Sequence, residues 1–120
     1  MKISEVAEKS GLSIDTIRFY EKSGICPAIA RGTDGIRRFS PENLEWLILL
    51  GSLRETGMPT AQMKHFASLY QVGDQTVSAR KSMLVAHAQE LERHHRRLDE
   101  CQALLARKIA KYDEILGEDT

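Results

Sequence analysis

The chain lacks most of what would mark an exported, membrane-bound or redox protein. Its 120 residues include two cysteines, Cys26 and Cys101. That is too few for a disulfide scaffold, so both are expected as free thiols. The longest uncharged apolar run, Trp46 to Leu53, is broken by Gly51 and Ser52 and falls far short of the roughly 20 residues a membrane span needs. Met1 to Leu12 alternates charged and apolar residues with no unbroken apolar stretch or cleavage motif, which excludes a secretory signal and points to the cytoplasm. There is no Cys-x-x-Cys, no Gly-rich phosphate loop and no compact acid-base constellation. Neither an enzyme nor a cofactor is expected.

Net charge is lacking too, since 17 Lys and Arg balance 17 Asp and Glu. A uniformly basic nucleic-acid binder is excluded, but the balance is an average over unlike segments. Residues 1–40 hold seven basic against five acidic side chains, 41–76 two against four, and 77–120 eight against eight. In the first block Arg31, Arg37 and Arg38 face only Asp34, and Arg18 and Lys22 lie one helical turn apart. Such local basic character suits a small phosphate-facing surface. A hydrophobic share of 42% is enough for a real core and argues against global disorder.

Helix punctuation is legible along the first two thirds. Ser4 is placed to cap a helix carrying Ile3, Val6 and Ala7, ended by Gly11. Ser13 caps a second, bearing Ile14, Ile17 and Phe19 on its inner side and stopping at Gly24. Two short helices joined by Gly-Leu-Ser have helix-turn-helix spacing, in which the second helix can enter a major groove. Asp34-Gly35 is a two-residue hairpin signal within 29–39, and a basic hairpin after a helix-turn-helix makes a winged helix. Ser40-Pro41-Glu42 then starts a third helix with a buried stripe of Leu44, Leu47, Ile48 and Leu50, flanked by Trp46. Thr60 is placed to cap a fourth through Met63, Phe66, Ala67 and Tyr70.

From Val77 to Leu116 there is no Gly or Pro, and Val77, Leu84, Leu91, Leu98, Leu105 and Tyr112 recur every seven residues. This is a coiled-coil seam on a helix about 60 Å long. A stripe so narrow needs a partner, and the simplest is a second copy under two-fold symmetry. Arg80, His87, His94, Cys101 and Lys108 fall at the other seam position, so the seam is half polar, which lowers stability but can fix register. In an antiparallel pair centred near the helix middle, Leu98 opposes the partner's His94 and Leu91 the partner's Cys101. Cys101 then cannot form a symmetric disulfide, which requires alpha carbons within about 7 Å. His87, His94, His95 and Cys101 do not make a metal site within one helix, because residues seven apart are about 10 Å apart along its axis.

Ile3-Ser4-Glu5-Val6-Ala7, Gly11-Leu12-Ser13, Ile17-Arg18-Phe19-Tyr20-Glu21-Lys22-Ser23-Gly24-Ile25, Arg31, Gly35-Ile36-Arg37-Arg38-Phe39 and Gly57-Met58-Pro59 resemble the bacterial MerR transcription regulators, in order and over the whole chain. The resemblance implies a mainly α protein. Residues 1–75 would form a winged helix-turn-helix DNA-binding domain with a small β-hairpin wing, and 76–120 a dimerisation helix in an antiparallel coiled coil. It implies a homodimer that binds double-stranded promoter DNA across an over-long spacer and distorts it, so that RNA polymerase recognition elements realign. Deformation of that kind costs on the order of 1–6 kcal/mol. Position by position it implies that Ser13, Thr16 and Arg18 face base edges or adjacent phosphates, and that Tyr20, Arg31, Arg37 and Arg38 grip the backbone. The competing reading is that Arg18 or Arg37 pairs with Glu21 or Asp34 on a solvated surface. Val77, Leu84, Leu91, His94, Leu98, Cys101, Leu105 and Tyr112 would line the dimer interface.

Three departures from the family pattern bear on the signal. Ile36 stands where the wing usually has an aromatic, so a contact from that ring is lost. Metal-sensing members carry paired cysteines after the long helix; here position 77 is Val77, the sequence closes on Gly117-Glu118-Asp119-Thr120, and no metal is expected. The segment Leu53 to Pro59, with Gly73, Thr76-Val77, Arg80, Leu84 and Lys108 to Tyr112, resembles the branch answering aldehyde, electrophile and nitrosative stress. That branch's cysteine of the third helix is missing from Leu50-Gly51-Ser52-Leu53. Cys26 and Cys101 remain as candidate thiol sensors, against the reading of Cys26 as a small packed hydrophobe and Cys101 as a polar flank. An architectural DNA-binding protein without an effector and a coiled-coil adaptor are the alternatives of other classes.

Overall fold

The computed structural model describes residues 1–117; Glu118-Asp119-Thr120 lie outside the described residues. Its regular elements among the described residues are helices: α1 (Ile3–Ser10), α2 (Ile14–Lys22), α3 (Pro41–Glu55), α4 (Thr60–Val72) and α5 (Val77–Leu116). A short 3-10 turn, Asp74–Thr76, precedes α5.

Local chemistry sets the boundaries. Gly11, at φ 75°, ends α1 with its N–H on the Ala7 carbonyl, the left-handed residue that glycine takes without a Cβ penalty. Ser13 opens α2, its hydroxyl oxygen accepting from the Thr16 N–H at 3.0 Å. Ser40 and Asn43 form a reciprocal capping box on α3, with Pro41 in the first turn. Two expected caps shift by a residue or two. α1 begins at Ile3 with Lys2 as its flanking residue, so Ser4 sits inside the first turn. α4 begins at Thr60 behind Pro59, whose carbonyl takes the Gln62 and Met63 N–H groups.

The core of the first compact unit, Met1–Met83, is built from Val6, Ile17, Tyr20, Ile25, Ile29, Phe39, Leu47, Leu50, Leu53, Met58, Met63 and Phe66. Ile48, expected in the buried stripe of α3, is exposed instead. The buried residues Leu47, Leu50 and Leu53 run at three-residue steps, which carries the inward face away from position 48. Gly51 lies inside α3, where glycine weakens a helix by about 1 kcal/mol. A Cβ there would stand 3.0 Å from the Leu12 side chain, so the missing methyl lets the turn between α1 and α2 approach α3. Trp46 ties the parts together: its indole Nε1 donates to the Ile25 carbonyl at 2.8 Å, and its ring packs on Phe66 and Tyr70.

The expected two-stranded hairpin is not a ladder. Among the described residues, 29–39 hold a single antiparallel bridge, Arg31 to Arg37. The loop is closed by Gly32 N–H to the Ile36 carbonyl (2.8 Å) and Arg38 N–H to the Ala30 carbonyl (2.8 Å). Gly35 N–H bonds the Gly32 carbonyl, and only Gly35 has positive φ. Thr33 and Asp34 are therefore the central turn residues, followed by a left-handed glycine, which corrects the Asp34-Gly35 expectation. A two-residue turn of the expected type needs positive φ at Asp34. The chain start anchors the loop, because the Met1 ammonium donates to the Phe39 carbonyl and Phe39 N–H to the Met1 carbonyl.

α5 runs unbroken for 40 residues. Its first turns belong to the first unit because Arg80 is pinned: Nε donates to Thr76 Oγ1, a second nitrogen reaches the Gly73 carbonyl, and the guanidinium lies over Tyr70. The second unit begins at Leu84. No residue of α5 is buried within the chain. The close approach at Gly51 yields a prediction: Gly51→Val will force Leu12 aside and destabilise the protein by about 1–3 kcal/mol in chemical denaturation, whereas an unchanged midpoint would show that the turn has room to move.

Candidate nucleic-acid interface

α2 divides cleanly into two faces. Ile17 and Tyr20 point into the core, while Asp15, Arg18, Phe19 and Lys22 form an exposed row at i, i+3, i+4 and i+7. Phe19, expected on the inner side, is half exposed. Arg18 and Lys22 have no intramolecular partner among the described residues, so their charges are free for an external anion. Thr16 sits at the N-terminal edge. Ser13 is more committed than expected, because its hydroxyl donates to Thr16 Oγ1 at 2.8 Å while accepting the Thr16 N–H. The Thr16 hydroxyl proton stays available.

Tyr20 departs from expectation. Its side chain is 2% exposed, and the phenolic oxygen is enclosed without a hydrogen-bond partner. In this conformation the ring fills the core beneath α2, and its hydroxyl is shut off from a phosphate. The alternation of the α2 faces explains the difference, since position 20 follows Ile17 by three residues and falls on the same buried side.

The three arginines of the 29–39 loop are all held within the chain. Arg31 donates to the Gly35 carbonyl at 2.8 Å. Arg38 donates to Asp34 Oδ2 at 2.9 Å, while Asp34 Oδ1 takes the Ile36 N–H at 3.0 Å. The Ile36 N–H first, and the Arg38 charge after it, hold the Asp34 carboxyl below its ordinary 3.8. The loop clamp is therefore in place at neutral pH and loosens only as pH falls below that value. Arg37 Nε lies 2.8 Å from Glu21 Oε2 in a half-buried ion pair. Its N–H is not aligned on the oxygen, so the contact is ionic without being a good hydrogen bond. This pair joins the loop to α2. The competing expectation of intramolecular pairing is met by Arg37 with Glu21 and not by Arg18, and Arg38 makes a further pair with Asp34. Each guanidinium has five N–H donors and keeps some for a phosphate.

Arg18 and the loop arginines thus belong to the elements on either side of one ion pair, an arrangement suited to a duplex, whose phosphates flank the base edges. A model of the MerR HTH regulatory proteins matches residues 1–69. The chain belongs to the MerR family. An HTH-type transcriptional regulator of Haemophilus influenzae is 36% identical over 92% of this chain and 82% of its own length. The regulator AdhR of Bacillus subtilis is 34% identical over 76% of this chain, which spans 65% of that protein. Among solved structures, HiNmlR, described as a MerR family regulator lacking the sensor domain and bound to promoter DNA, superposes with a TM-score of 0.84 at 34% identity. That match covers 98% of this chain and 94% of HiNmlR. This MerR protein is a DNA-binding transcription regulator. No helix among the described residues is long and apolar enough to cross a membrane.

The thiols part company. Cys26 is 1% exposed, its N–H on the Tyr20 carbonyl. Burial first, and the Glu21 charge second, push its thiol up to about 12. Such a thiol stays in its less reactive protonated form near neutral pH, which favours the reading of Cys26 as a small packed hydrophobe. Cys101 is exposed on α5. Among the described residues no group of His, Cys, Asp and Glu is placed to hold a metal ion. Alkylation of the folded protein at pH 8 is predicted to spare Cys26 and to reach it only after denaturation. The neutral Cys26 thiol supports the fold below pH 9, and that support declines between 9 and about 12 as the unfolded chain ionises. Equal labelling of both thiols would contradict the burial.

Proposed function

We propose that the chain acts as a homodimer in which α2 enters the major groove, the 29–39 loop serves as the wing, and α5 is the dimerisation rod. The observation that carries this reading is the pairing of a free Arg18 face on α2 with three arginines on the loop clamped beside it. In this reading residues 1–75 bind DNA through Thr16, Arg18, Arg31, Arg37 and Arg38, with Ser13 holding Thr16. Residues 76–120 pair through Val77, Leu84, Leu91, His94, Leu98, Cys101, Leu105 and Tyr112. The exposure of Leu91, Leu98, Leu105 and Tyr112 supports the pairing, and Ile109 and Leu116, four residues after Leu105 and Tyr112, widen the stripe. Surface ion pairs such as Arg93–Glu90 and Arg96–Glu92 give α5 a polar flank.

A small rotation across the rod becomes a change in DNA twist, which fits control of a promoter with an over-long spacer by presenting it to RNA polymerase in a new phase. The likeness of the Leu53–Pro59 segment favours the aldehyde and nitrosative-stress branch, with Cys26 and Cys101 as its candidate thiols. The alternative of an architectural protein predicts near-equal affinity for many sequences.

Fluorescence anisotropy against a specific and a scrambled duplex tests the reading. Arg18→Ala is predicted to weaken the specific complex by about 1–3 kcal/mol and to relax sequence preference. Arg37→Ala should weaken both duplexes alike and lower the salt slope by about 1. Unchanged affinity in both variants would favour the coiled-coil adaptor.

A further inference from the structure

The outer face of α2 carries one apolar side chain. Asp15, Arg18 and Lys22 surround Phe19, and half of the Phe19 surface is open to water. Ile17 and Tyr20 fill the core side of the helix, so Phe19 is surplus to the fold. Its ring is nonetheless seated, with its centroid 6.1 Å from that of the buried Tyr20 at an interplanar angle of 51°. It has no polar atom, so it can neither bond a phosphate nor read a donor or acceptor on a base edge.

The major groove offers one apolar group that distinguishes a base, the C5 methyl of thymine. We propose that Phe19 is a specificity-determining residue that packs on a thymine methyl, beside a base pair read by Arg18. The placement favours DNA over a protein partner, because Phe19 adjoins the unpartnered Arg18 and lies on the side of α2 opposite the core. Arg18 supplies paired donors of the kind guanine accepts, so adjacent residues read adjacent features, one by charge and one by shape. This rests on the DNA-binding reading above and adds the base class that the helix selects.

The test uses the full-length chain and the duplex it retains from a random-sequence library after repeated selection. Each thymine is replaced in turn by deoxyuridine, which keeps the base pair and deletes only the methyl. Wild-type affinity should fall about three- to fivefold at one thymine per half-site, the effect expected for one buried methyl. Phe19→Ala should bind the unmodified duplex as weakly as wild type binds the deoxyuridine duplex, with no further loss when both changes are combined. Phe19→Leu, which keeps apolar surface, should keep part of the sensitivity, and circular dichroism should show the same helix content in all three proteins. Deoxyuridine tolerated at every position, or a full penalty retained by Phe19→Ala, would overturn the proposal and leave Phe19 as a surface for another protein. Failure of the chain to retain any duplex would instead refute the DNA-binding reading, and this inference with it.

Discussion

Everything on the proposed DNA-facing side depends on the seating of α2. Ile17 and Tyr20 are three residues apart and both buried, with Ile25 and Cys26 continuing the same packed surface beyond the helix. That fixes the rotation of α2 about its axis, and a helix of nine residues then has one possible outer row. Arg18, Phe19 and Lys22 are exposed because Ile17 and Tyr20 are not. The Trp46 bond to the Ile25 carbonyl and the absent side chain at Gly51 hold the same unit from behind, so the direction of the row is set by a core shared with α3 and α4.

The loop of residues 29–39 solves a different problem. A short hairpin is marginal in water, and here the backbone supplies only one bridge. Side chains make up the difference. Asp34 binds both the Ile36 N–H and Arg38, Arg31 caps the turn at Gly35, and Glu21 of α2 pairs with Arg37. The arginines thereby stabilise the loop that presents them, and they arrive at an anion with their side-chain entropy already reduced. The Glu21 carboxylate has a second effect, adding its charge to the burial that raises the Cys26 thiol.

Much of this was legible in the chain itself because the signals were local. Gly11, Ser13, Ser40-Pro41 and Gly57 mark helix ends through their own backbone preferences, and the seven-residue repeat of α5 needs no tertiary information. The motif around Ile17-Arg18-Phe19-Tyr20-Glu21 pointed to the family that the comparisons bear out. What resisted was the inside or outside assignment of neighbouring aromatics. Phe19 and Tyr20 differ by one residue and 100° of helix, and the pattern alone placed the wrong one inward. The turn at Thr33-Asp34 was misplaced because Asp34-Gly35 suits two turns, one centred on Asp34-Gly35 and one centred on Thr33-Asp34 with a left-handed glycine after it. Cys26 read more readily as a small packed hydrophobe than as a sensor, and its burial, a tertiary property, supports that reading.

The central claim is that two copies set their α2 helices on one face of a duplex at a fixed spacing. Methylation protection of guanine N7, with full-length protein on its selected duplex, reports on major-groove occupancy directly. The account predicts two symmetric patches of protection separated by a whole number of helical turns, with unprotected guanines between them. Protection confined to a single patch, or spread evenly along the duplex, would contradict it.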